Sequence, residues 1–467
     1  MTIQRILFTF LSISIIWLAS TGCSIAGPLR LLAPGGPESA VMGGAGFSES
    51  DTDMQRPEAL LGSARNSLSL TRECETVFYE KENDRVLNLH TSRKTVAAVR
   101  YTLPGNSGAR TALAADIYGA ETRLFTDDQF ADTQFRAKGR GGAFALAHGA
   151  GNLRLGLFYQ STDDSISGAS GEAVQQVDVL DAGTVIPGYM DAERYGMSIS
   201  ARAGKRLDLG FTYVGESAHA ALNFADADNE FRFPVNIEGK RRSWRATWNA
   251  PAPYTIEAAV HHGSYGHIDD ITHYSSTLLG RWKSSAGFTM RTLHARKQGS
   301  EHHLTTFGFE DYTGAFTLAG AADLLGTSAN LLSGYYLLHA NGFLKSRTVR
   351  YAAQWRKGNY TWRAGYAYSR GHAFLHYDTQ RGGLAVLLGL MPANAVASNR
   401  NYSYRRHQLG LGVEKQIAPD VVAQYSLVQT IPLFKEQGRV RIPDTTQKSR
   451  TVRGGALHLF SIIYFFD

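Results

Sequence analysis

The sequence predicts an all-β fold: a transmembrane antiparallel β-barrel of even strand count, about 14–18, with its N-terminal segment forming a lumen plug or hatch. Three observations carry this expectation. Apolar and polar residues alternate with period two from about residue 93 onward. Short turn-forming sequences alternate with long polar stretches. The chain also opens with an export-like segment followed by a Gly- and Ala-rich one. Composition agrees: only 19% of the 467 residues are charged, 48 are Gly and 11% are aromatic. A mean hydropathy of −0.22 excludes a helical membrane protein, and this apolar and aromatic content excludes a disordered chain.

The first element, residues 1–26, reads as a signal peptide. Arg5 is its single charge, Ile6 to Ala19 is an apolar stretch too short for a membrane helix, and Ser24-Ile25-Ala26 fits a small-x-small cleavage site. Ser20-Thr21-Gly22-Cys23 offers a rival reading, a lipoprotein box with Cys23 acylated, although Ser20 stands where that box has an apolar residue. Cys23 and Cys74 are too few for a disulfide scaffold or a zinc site.

Residues 27–65 form the second element. Gly36-Pro37-Glu38-Ser39-Ala40-Val41-Met42-Gly43-Gly44-Ala45-Gly46 is followed by the acidic stretch Ser48 to Asp53 and by Arg56-Pro57-Glu58-Ala59-Leu60. The order resembles the N-terminus of FadL-like outer-membrane transport proteins and their PorV-type relatives. There a Gly-Met-Gly-Gly-Ala-like element precedes an acidic stretch and an Asn-Pro-Ala-Gly-Leu element. Pro57 and Leu60 match that last element, Arg56 stands for Asn, and Ala59 is shifted by one. The resemblance implies a hatch folded inside the barrel, with Gly43, Gly44, Ala45, Arg56, Pro57 and Glu58 as its candidate residues. It also implies passage of hydrophobic small molecules or, in the PorV branch, a partner role in protein secretion. Small Gly and Ala residues suit a segment packed against a lumen wall.

Residues 66–467 supply the barrel. Leu207, Leu209, Phe211 and Tyr213 alternate with Arg206, Asp208, Gly210 and Thr212, and Leu153, Leu155, Leu157 and Tyr159 continue the pattern. Tyr195 to Ala201, Trp244 to Trp248, Tyr254 to Val260, Val349 to Trp355, Tyr360 to Tyr368, Leu409 to Val413 and Val421 to Leu427 repeat the pattern. Successive strand residues point to opposite faces, so each segment has an apolar and a polar-or-small face. Eight short turns are expected, near 104–106, 149–151, 204–205, 250–253, 284–287, 310–312, 357–359 and 418–420. Long loops are expected at 121–138, 161–193, 216–239, 371–401 and 432–450. Eight turns imply eighteen strands; reading 331–344 as strand or loop widens the count. His458, Phe460, Ile462, Tyr464 and Phe466 form the closing strand, ended by Asp467. A closed sheet of this kind satisfies every backbone group in hydrocarbon, with its greasy row against lipid.

The opposite row places Arg154, Arg202, Arg206, Arg245, Arg350, Arg356 and Arg363 on the lumen side. Such a set either biases a pore towards anions or pairs with inward acids such as Asp208 and Glu257. The scattered histidines (His261, His262, His267, His273, His302, His303) put ligand residue types at short spacing, but on an expected loop between strands they read as solvated, and no metal is expected. Asp163-Asp164 and 226–230 read as solvated loop tips. The run Leu384 to Leu390 lies in an expected loop, where it would line a greasy mouth or clip the loop down. No nucleophile, base and orienting group stand in register, so neither catalysis nor a cofactor is expected. The net charge of +7 is spread along the chain, without the concentrated stripe of a nucleic-acid binder.

The leading expectation is therefore an outer-membrane barrel, in a Gram-negative type envelope, that transports small hydrophobic or amphipathic molecules. Two alternatives stand beside it: a surface scaffold or secretion-partner barrel, and an anion-leaning porin.

Overall fold

A computed structural model of the chain describes residues 56–62, 65–80, 86–105, 109–128, 131–170, 188–225, 230–250, 253–275, 278–300, 303–324, 334–383, 396–439 and 451–466. Sixteen strands follow in order: β1 (Asn66–Glu80), β2 (Val86–Pro104), β3 (Arg110–Asp128), β4 (Ala131–Ala150), β5 (Leu153–Ser170), β6 (Gly188–Ala203), β7 (Leu207–Ala225) and β8 (Glu230–Asn249). The second half comprises β9 (Tyr254–Ser275), β10 (Leu278–Ser300), β11 (His303–Leu324), β12 (Gly334–Lys357), β13 (Tyr360–Gly383), β14 (Val396–Ala418), β15 (Val421–Arg439) and β16 (Thr451–Phe466). Each strand is antiparallel to its chain neighbours, and β16 pairs with β1 from Asn66↔Phe466 to Glu80↔Thr451, closing the barrel. The strand count falls within the expected even range.

Side-chain exposure confirms the two faces. Leu153, Leu155, Leu157 and Tyr159 are exposed while Gly156, Phe158 and Gln160 between them are buried. Leu68, Leu70, Ile117, Phe144, Met197, Trp244, Tyr351 and Leu411 extend the exposed apolar row around the ring. An apolar band of this extent on the outer wall is the surface of a protein built to sit in hydrocarbon. Near the short connections it is edged by Trp248, Tyr254, Trp355, Tyr360, Trp362 and Tyr464, as an interfacial aromatic girdle requires. Lys297 lies 5.8 Å from the Tyr254 ring centroid and Lys415 lies 5.3 Å from that of Tyr360. Long stems therefore run along this rim while the ammonium groups reach for water.

The two ends differ as expected, with corrections in detail. Seven connections at one end join β2–β3, β4–β5, β6–β7, β8–β9, β10–β11, β12–β13 and β14–β15. Gly151, Gly204 and Gly358 occupy three of these turns with φ of 57°, 71° and 59°, a backbone region that side chains with a Cβ resist. The expected turns at 284–287 and 310–312 are instead strand, inside β10 and β11, which are joined at 301–302. Ser285 and Thr317 share a hydrogen bond of 2.7 Å across that pair, and Glu310 and Asp311 hold Arg350 and Arg347 on β12. Residues with turn chemistry serve there as cross-strand pairs, and eight expected short turns become seven.

Much of the expected loop length is also strand. The stretch 121–138 is the continuation of β3 to Asp128 and the start of β4 at Ala131, and residues 334–344 belong to β12. β12 and β13 reach 24 residues, whereas a tilted strand needs only about 9–11 to cross hydrocarbon. The sheet therefore projects beyond the apolar band at the loop end. Asp163 and Asp164, expected at a loop tip, lie within β5 on opposite faces: Asp163 is exposed beside Arg140, and Asp164 is buried. Two carboxylates split in this way cannot share a cation. Residues 1–55 and the run 384–390 lie outside the described residues, and with them Cys23 and the hatch candidates Gly43, Gly44 and Ala45.

Candidate functional site

The described part of the N-terminal segment is a single 3-10 turn, Pro57–Gly62. Proline suits a first helical position because it has no N–H to leave unsatisfied, and the Ala59 N–H donates to the Arg56 carbonyl at 2.9 Å. The turn lies inside the barrel. Leu60 and Leu61 are buried in one cluster with Ala112 and Ala114 of β3, Ala143, Ala145 and Ala147 of β4, Phe158 of β5 and Val214 of β7. Alanine at these inward positions leaves room for a second layer of backbone. Gly156 does so most sharply: a methyl group there would lie 2.8 Å from Pro57 Cβ and 3.1 Å from the Glu58 nitrogen.

A charge cluster holds the same turn. Glu58, only 3% exposed, accepts a hydrogen bond from Arg245 of β8 at 2.9 Å and another from the Ser198 hydroxyl of β6. Arg56 reaches Glu257 of β9 through both Nη atoms, at 3.4 and 3.3 Å, and Glu257 also accepts from Thr247 at 3.1 Å. Arg245 Nε stands 3.6 Å from Glu257, which joins the two pairs into one cluster of two arginines and two carboxylates. For the buried Glu58–Arg245 pair, deleting one member strands the other, at a typical cost of about 3–5 kcal/mol. Arg56 and Glu58, the charges that stand where the family's element is neutral, form the turn's ion pairs with the barrel wall.

The seven lumen-side arginines divide into two groups. Arg245 joins the cluster just described, Arg202 pairs with Asp208 at 3.2 Å, Arg350 with Glu310 at 2.9 Å and Arg363 with Glu414 at 2.8 Å. Arg154, beside Gly149 and two residues past a short turn, and Arg356, two residues before another, sit at the rim; Arg206 is itself an exposed turn residue rather than a strand residue. Two further inward pairs, Arg100–Asp116 and Arg194–Glu216, both at 2.9 Å, escaped the sequence reading. Their acids stand on neighbouring strands, and cross-strand register is not visible in a one-dimensional pattern.

Farther from the short turns, an apolar patch interrupts this polar inner face. Tyr265 of β9 stacks on Phe288 of β10 (6.2 Å between centroids), and Phe288 stacks on Tyr312 of β11 (5.7 Å). Tyr312, Leu344 and Tyr404 are buried together, with Met290 packed against them. Tyr265 lies over Gly239 and Phe288 over Gly263, so glycine on the adjacent strand gives each ring a flat seat. The Tyr265 hydroxyl donates to Glu216 at 3.0 Å, which fixes its edge. The signal was present in the sequence: aromatic residues at the polar-row positions of β9, β10 and β11.

Neither a protein-family model nor a curated protein matches the chain. Solved structures do. The TodX monoaromatic hydrocarbon channel, as its deltaS2 mutant, is 11% identical, with 93% of this chain and 100% of that one covered at a TM-score of 0.45. A FadL homologue from Pseudomonas aeruginosa is 12% identical over 93% and 99% of the two chains, at 0.43. The CymD monoaromatic hydrocarbon channel is 13% identical over 93% and 98%, at 0.40.

Proposed function

We propose that this chain is an outer-membrane barrel that carries small hydrophobic or amphipathic molecules through its lumen, with residues 27–65 acting as a hatch. The observation that carries the reading is the turn 57–62 seated inside the wall and held by the Arg56–Glu257 and Glu58–Arg245 pairs. Beyond it, the patch of Tyr265, Phe288, Met290, Tyr312, Leu344 and Tyr404 offers an apolar foothold on the inner face away from the turn. A greasy solute needs such a foothold to leave the membrane or the water, and a polar surround to let it go again. The channel names of TodX and CymD are in keeping with this cargo class. In the same reading, residues 1–26 are the export signal.

The anion-leaning porin asks for unpaired lumen arginines, and four of the seven meet carboxylates. The deciding experiment compares the full barrel with a variant lacking residues 27–65 in planar bilayers and in vesicles loaded with a toluene-class solute. The full barrel should pass little ionic current yet admit the solute, and the variant should open to ions. Large, steady conductance from the full barrel would sink the hatch reading.

A further inference from the structure

The outer wall carries a basic recess that the transport reading leaves unused. Cross-strand pairing aligns Arg72 with Thr95, Thr95 with Gly119, and Gly119 with Arg140; one row nearer the loop end it aligns Arg93 with Glu121 and Glu121 with Lys138. These side chains share the face of the exposed Leu70, Val99, Ile117 and Phe144, and so point away from the lumen, just past the apolar band. Gly119 has no side chain and open space before it, and around it lies a recess of about 430 Å³ lined by Arg72, Arg93, Thr95, Glu121 and Lys138. The one acid of this lining is already engaged: Glu121 pairs with Arg123 at 2.8 Å and with Arg136 at 2.7 Å. Arg140 has Asp163 at 3.1 Å. Among the described residues no carboxylate answers Arg72, Arg93 or Lys138.

We propose that this recess binds the phosphate-bearing headgroup of an anionic lipid in the leaflet at the loop end of the barrel, with the acyl chains lying on Leu70, Val99, Ile117 and Phe144. Charge complementarity selects the headgroup. Three cations converge where a hydrocarbon surface ends, and planar guanidinium forks suit phosphate oxygens. Height selects a lipid over a soluble anion, because the apolar wall directly beneath the recess is a seat that only a lipid can fill. The inference rests on the membrane reading above. Boiling-dependent gel migration tests that reading separately, so failure of one is distinguishable from failure of the other.

The test uses the full-length barrel in neutral detergent. Native mass spectrometry would follow binding of lipid A carrying both phosphates and of the same lipid dephosphorylated. The wild type should retain the phosphorylated form preferentially, and excess inorganic phosphate should compete only weakly. The variant R72Q/R93Q/K138Q should bind on the order of a hundredfold more weakly, given about fivefold per basic residue at an anionic surface. Lys205→Gln, at a turn on the opposite end, should bind as the wild type does. Equal affinity in the triple variant, or no preference between the two lipids, overturns the proposal. If the triple variant does not fold, the wild type alone decides: binding must weaken steeply as salt rises, and binding indifferent to salt overturns the proposal as well.

Discussion

At the scale of single residues, polarity means different things on the two faces of one strand. Leu157 is 57% exposed on the outer row, and its strand neighbour Phe158 is 4% exposed on the inner one. Leu157→Arg should therefore cost about 2–4 kcal/mol if the position lies near the midplane of the bilayer. Urea titration of folding into vesicles would show it, and an unchanged midpoint would mean that this row does not face hydrocarbon. Inside, Arg245→Met leaves Glu58 without its cation while Glu257 keeps Arg56, and the loosened turn should raise ionic conductance. Adding Glu58→Gln to that variant removes the stranded charge, so the double variant should unfold at a higher urea concentration than Arg245→Met alone. A double variant less stable than either single one would mean that the four charges act independently.

At the scale of elements, the turn 57–62 is held by shape as well as by charge, and the two can be separated. Gly156→Val leaves every charged group in place but puts bulk where Pro57 and Glu58 now rest. It should therefore open the barrel to ions much as removal of residues 27–65 does, and wild-type current from it would show that seating the turn is not what closes the pore. The same elements show how far the sequence can be read. Inside the apolar band one face of each strand must be greasy, so period two survives and β5, β7, β12 and β13 were legible. Beyond the band both faces are wet and nothing enforces alternation, which is why the ends of β3 and β4 read as a loop. Ser284 to Gly287 read as a turn because small polar residues serve cross-strand pairing and turns alike. Arg56 and Glu58 could be marked from the motif, and Arg245 and Glu257 from the inward row, but not that they pair. Ser198 is an ordinary small polar residue, and only the closed register carries it across 140 positions to Glu58.

At the scale of the whole molecule, closure and charge pairing act together. Strand β16 leaves no free edge only because its residues meet β1 over the full length of both, with Tyr101 stacked on Phe466 (6.2 Å) at the seam's lower end. Removing residues 451–467 would expose two long edges at membrane depth, where unpaired N–H and C=O groups cost several kcal/mol each. Such a chain should fail to show boiling-dependent migration at all. Along the wall, positive charge is distributed unevenly: Arg100, Arg194, Arg202, Arg245, Arg350 and Arg363 on the inner face meet carboxylates, while the outer recess on β1 to β4 keeps Arg72, Arg93 and Lys138 unmatched. A lumen whose strand arginines are mostly paired with carboxylates has little to favour either sign of ion. The variant lacking residues 27–65, held in a KCl gradient, should therefore show a reversal potential near zero, with permeabilities to K⁺ and Cl⁻ within about a factor of two. A strong preference for chloride would mean that the arginine–carboxylate pairs do not hold in the open barrel, and would return the molecule to the porin class.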